Sequence, residues 1–91
     1  MPTQAAFMLG PLASFDDAHA ARAADTLITV FSGLSRTLRE VAYALRWGAG
    51  LDTHAILQRL ASSPFQSVRK DAEDSLKRRE AAVSKERVTN D

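Results

Sequence analysis

At 91 residues the chain has room for one domain, near the size at which a single core is only marginally sufficient. Its content, 45% hydrophobic and 25% charged, is ordinary for a globular protein, and the absence of cysteine excludes a disulfide scaffold and thiolate chemistry. A formal net charge of +1 argues against a protein that lives on nucleic-acid phosphates, which is usually far more basic. The charges are also intermixed. Asp16, Asp17, Asp25 and Glu40 face four arginines in the first fifty residues, and the rest of the chain repeats that balance. Solvated helix faces are the natural reading. No apolar run approaches the ~20 residues needed to cross a bilayer, so no membrane role is expected and a cytoplasmic location is.

Residues 1–13 carry Phe7, Met8, Leu9 and Leu12 around Gly10-Pro11. Without a basic opening, and with Gly-Pro interrupting the apolar run, the stretch is a poor signal peptide. It reads as an apolar N-terminal arm that covers the core of its own chain or docks on a partner.

From Ser14 to Trp47 the periodicity predicts one long helix, about 15–47. At 100° per residue Ala20, Ala23, Leu27, Val30, Phe31, Leu34, Leu38, Val41 and Leu45 share a sector about 100° wide, with charged and polar residues opposite. Ser14 stands where an N-cap belongs, Asp17 completes a capping-box spacing, and both Asp16 and Asp17 suit the positive end of the helix dipole. Gly48-Ala49-Gly50 offers left-handed conformations for the stop. Gly33, inside the span, allows a bend or a close contact. Unbroken, the rod would measure roughly 50 Å.

A short helix is predicted over about 53–61, capped by Asp52, with Ile56, Leu57 and Leu60 on one side. Ser63-Pro64-Phe65-Gln66 then gives an N-cap, a proline at the first helical position and a returning capping-box side chain. The third helix, long and charged, spans about 64–88. Its apolar residues Phe65, Val68, Ala72, Leu76 and Val83 form one narrow seam suited to helix–helix contact. Glu73 with Lys77 and Asp74 with Arg78 are favourable i,i+4 pairs. Residues 89–91 read as a disordered tail.

The fold class is therefore all-α: a single helical domain over 14–88, a helical hairpin or bundle. Counting large apolar side chains, the first helix displays more than the other two can cover. That imbalance predicts completion by a homodimer or by a partner. The expected seam comprises Leu27, Phe31, Leu34, Leu38, Leu45, Phe65, Val68 and Leu76.

Arg36, Arg39, Tyr43 and Trp47 cluster on the face opposite the apolar stripe. Tyr, Trp and Arg combine large apolar area with a polar handle and dominate binding hot spots. Either the rest of the chain folds over this patch or a partner protein does. Asp16 with His19 has i,i+3 spacing, but the further inward ligands of a metal-binding bundle are missing and the dipole explains Asp16. His54 stands alone. No nucleophile set, phosphate loop or spaced carboxylate pair is present, so no enzyme, cofactor or metal is expected. The alternative function is DNA binding. Val41–Leu57 has a helix–turn–helix outline, with Arg46, Thr53, His54, Gln58 and Arg59 as contacts, set against a nearly neutral charge. The reading is a small regulator, antitoxin-like or phage-type inhibitor, or secretion chaperone that binds another protein. Heavy alanine and arginine use suggests a bacterial or phage source.

Overall fold

Two different buried faces, not one, run along the first half of the chain. In the computed structural model, which describes the backbone of residues 8–90 and the side chains of residues 8–82, the stretch read as one rod is divided. Helix α1 spans Leu9–Phe15, α2 Asp17–Val30 and α3 Ser35–Ala44, with a 3-10 turn over Leu45–Trp47. Helices α4, Leu51–Leu60, and α5, Gln66–Asn90, complete an all-α architecture.

The expectation of a continuous helix from Ser14 to Trp47 is thus corrected at two points, each with a physical cause. At the first, Ser14 is not a cap: its hydroxyl donates to the Pro11 carbonyl at 2.8 Å, inside α1. Extended Asp16 is the N-cap of α2, its carboxylate accepting the His19 N–H at 3.1 Å. At the second, residues 31–34, the inward direction changes. Helix α2 buries Ala20, Ala21, Ala24, Leu27 and Ile28, whereas α3 buries Thr37, Leu38, Val41, Ala42 and Ala44. At 100° per residue those faces differ by roughly 80°. A straight helix cannot bury both. Breaking near Gly33 buries Ile28, which the single stripe left out, and releases Val30 and Leu34 to solvent.

Glycine 48 and glycine 50 also act differently from expectation. Both are extended (φ −87° and −84°), and no residue among those described has positive φ. Space, not handedness, selects them. A Cβ at Gly48 would press on Ala13 and the Thr53 hydroxyl, and one at Gly50 would overlap the Asp17 carboxylate. Helix α4 begins at Leu51, and Asp52 does not cap it. For α5 the Ser63 hydroxyl accepts the Phe65 N–H at 3.2 Å, but the helix begins at Gln66, so Ser63 stands ahead of the cap position and Pro64 outside the helix expected to start there.

Helix α3 packs on α5, α2 on α4, and α1 on both α2 and the 3-10 turn. Of the expected seam, Leu27, Leu38, Leu45 and Val68 are buried, and Phe31, Phe65 and Leu76 pack against them partly buried. Leu34 departs from it, 53% exposed as the N-cap residue of α3. Phe7 and the side chains of Val83 and Val88 lie outside the described residues.

One chain closes this core. Its radius of gyration is 12.7 Å, against about 12 Å for a compact domain of this length. The count of large side chains missed the reason. Ala13, Ala20, Ala21, Ala24, Ala42, Ala44 and Ala72 are all buried and let helices approach closely. Buried Ser75 does the same, its hydroxyl donating to the Ala42 carbonyl at 2.7 Å. No described helix is long and apolar enough to cross a membrane.

Candidate functional site

Within α3 and the 3-10 turn the helical phase is kept, so positions 36, 39–40, 43 and 47 rise along one face. Helix α1 passes beside that face because Gly10 has no side chain: a Cβ there would lie 3.3 Å from the Trp47 ring. Between them opens a groove of about 680 Å³. Gly10, Pro11 and Ser14 of α1 line it with Ala44, Tyr43 and Trp47, and Arg36, Arg39, Glu40 and Asp71 carry its charges. The four residues singled out from the sequence, Arg36, Arg39, Tyr43 and Trp47, thus come together at one concavity.

Its aromatic wall is ordered by contacts. Tyr43 and Trp47 meet edge to face, centroids 5.4 Å apart and planes at 70°. The Arg46 guanidinium lies over the Tyr43 ring at 3.9 Å and is held from behind by Asp74 at 3.1 Å. Even so, Tyr43 is 50% and Trp47 55% exposed. Across the groove Arg39 Nε pairs with Asp71 at 2.9 Å. Arg36 stands 3.9 Å from Glu40 with its side chain 87% exposed. The second oxygen of that carboxylate, Glu40 Oε2, is buried with no hydrogen-bond donor among the described residues.

The groove has the dimensions of a ligand site. Its volume falls within the ~300–1,000 Å³ of ligand sites, its lining is mainly apolar, and its polar groups are few and convergent. Among the described residues no group of three or more His, Asp or Glu side chains is placed to hold a metal ion. The Asp16–His19 spacing is accounted for by the backbone cap of α2. His54 is partly buried beside a shallower hollow with Gln58, Arg79 and Glu80.

Sequence reasoning missed a second cluster. Asp17, read as part of a local capping box, instead caps α4 from outside. Its carboxylate accepts the Asp52 N–H at 3.0 Å and the Thr53 N–H at 3.4 Å, and also takes the Thr53 hydroxyl. Arg79, 7% exposed, donates to the Thr53 oxygen at 3.0 Å and to the Gly50 and Leu45 carbonyls at 2.7 and 3.3 Å. Burial pushes its guanidinium below the ordinary arginine value, and nearby Asp17 works the other way. One set of hydrogen bonds therefore joins the start of α2, the start of the 3-10 turn, the start of α4 and the middle of α5. Its one sequence signal was an arginine on the apolar seam of α5, between Leu76 and Val83.

Comparison of the chain with protein-family models, with curated proteins and with solved structures returns no match, so its function is read from its own geometry.

Proposed function

We propose that this chain is a protein–protein interaction module that works by binding, not catalysis, and that its groove seats a segment of another protein. A cytoplasmic regulator or inhibitor, or a chaperone, of bacterial or phage type fits that activity. The supporting observation is the convergence of Arg36, Arg39, Tyr43 and Trp47 on one apolar concavity whose aromatic residues stay half exposed. Rigid aromatics with an apolar body and a polar tip are the anchors most often found at binding hot spots. The test is capture from extract of the source organism by tagged wild type, Arg39→Ala and Trp47→Ala. We expect a partner that wild type retains and both variants lose, while helicity and melting remain near wild type. Equal recovery by all three would remove the groove from the interface.

DNA binding is the weaker alternative on physical grounds. Thr53 is fully buried, Arg46 is engaged by Asp74 and Arg59 by Asp25, and only Gln58 of the remaining pair is freely exposed. A gel shift at ~50 mM salt that weakens steeply by ~200 mM would restore it. A homodimer is the second reading, since Phe15 and Leu51 are large, apolar and more than four-fifths exposed. Light scattering at twice the 9.9 kDa chain mass would establish one.

A further inference from the structure

We infer that the segment seated in the groove presents a lysine or arginine beside a large apolar side chain, and that Glu40 receives its charge. The inference rests on the docking reading above and names the chemistry of the partner. Four charged side chains line the groove, and three are already provided for. Arg39 and Asp71 pair at 2.9 Å. Arg36 is 87% exposed and lies 3.9 Å from Glu40, beyond hydrogen-bond length, with its charge in water. Glu40 alone is left in deficit, one oxygen dry and without a donor among the described residues.

A desolvated carboxylate oxygen without a donor is costly, and an arriving cation removes that cost. The carboxylate is reachable as it stands, its side chain 29% exposed, so a cation in the groove meets the same charge. Tyr43, Trp47 and Pro11 line the groove beside Glu40 and offer an apolar track for the stem of Lys or Arg. The wall already holds one such arrangement internally, Arg46 over Tyr43 at 3.9 Å. An acidic segment would meet like charges at Glu40 and Asp71, and with Arg39 already paired it would have Arg36 and the buried Nε of Arg46 in its favour.

Three probes of matched chain length test this: 3-phenylpropylammonium, 3-phenylpropan-1-ol and 3-phenylpropionate. Each is titrated into the intact protein while the Trp47 indole N–H and the Glu40 amide are followed by NMR. Trp47 is the only tryptophan, so its fluorescence provides an independent readout. The ammonium ion should bind about threefold tighter than the alcohol and roughly tenfold tighter than the carboxylate. Glu40→Gln should bring the ammonium ion level with the alcohol and leave the alcohol unchanged within about twofold. A carboxylate that ties or wins, or a preference that survives Glu40→Gln, overturns the inference. Should ammonium and alcohol bind wild type alike, the groove remains a docking site and only its charge preference is lost. If no probe shifts either signal at ~10 mM, both readings fall. The comparison among probes uses wild type alone and does not depend on a variant folding.

Discussion

Two places in this molecule hold arginines and carboxylates at close range, and they are built in opposite ways. At the junction of α2, α4 and α5 the polar groups are buried and answered: Arg79 donates to Thr53 and two carbonyls, and Asp17 accepts from Thr53 and two backbone N–H groups. In the groove the aromatics stay half exposed, Arg36 reaches into solvent, and Glu40 keeps an unanswered oxygen. A satisfied buried network serves the fold, because breaking it leaves charge stranded in low dielectric. An incompletely satisfied surface adds little to stability and is available for a ligand. Residue type does not separate the two cases; the accounting of hydrogen bonds does.

Substitutions can break that contrast, and the largest effect should come from the buried side. Arg79→Ala removes the side chain that ties Thr53 to the Gly50 and Leu45 carbonyls, which keep only the His54 and Gly48 N–H groups and the Thr53 hydroxyl, and leaves Asp17 without its neighbouring charge. It should cost about 3 kcal/mol, measured by urea unfolding. In a domain this small, that lowers the melting temperature by more than ~10 °C. Gly50→Ala comes next. Its backbone is compatible with alanine, yet the new Cβ would displace the Asp17 carboxylate and uncap α4. A loss of about 2 kcal/mol is expected where compatible Gly→Ala changes normally stabilise. Tyr43→Ala and Trp47→Ala should each change stability by no more than about 1 kcal/mol and weaken partner binding at least tenfold. Isothermal titration beside a thermal melt reads both numbers. The smallest effect has the opposite sign. At Gly33 a Cβ meets nothing within 4 Å and φ is not positive, so Gly33→Ala should stabilise by about 0.5 kcal/mol. Equal effects of alanine at Gly33 and Gly50 would remove the steric account of the junction.

How far the sequence could be read follows from which forces are local. Helical character and the local turn at Ser63 depend on neighbours within a turn, and both are legible, although the helix starts at Gln66 and not at Pro64. The grouping of Arg36, Arg39, Tyr43 and Trp47 also follows from phase alone, since the chain stays helical across them and the break lies earlier, at residues 31–34. The break itself is tertiary: α2 faces α4, whereas α3 faces α5, and no single periodicity anticipates two partners. Alanines hid the core. Counted as small, they looked incapable of filling it, although close helix approach needs small side chains. Asp17 and Arg79 are 62 positions apart in sequence, and only the fold brings both to Thr53. The pull of Asp16 and Asp17 toward a helix N-terminus was legible, but Asp17 serves α4 and not its own helix.

The central claim is that the groove, and not the rest of the surface, meets another protein. Photo-crosslinking tests it most directly, with a benzophenone amino acid replacing Tyr43 in one strain and exposed Thr29 of α2 in another. The account predicts a discrete adduct from position 43 that disappears when Trp47→Ala is added, and none from position 29. Adducts of equal yield from both positions, or an adduct at 43 indifferent to Trp47, would contradict it.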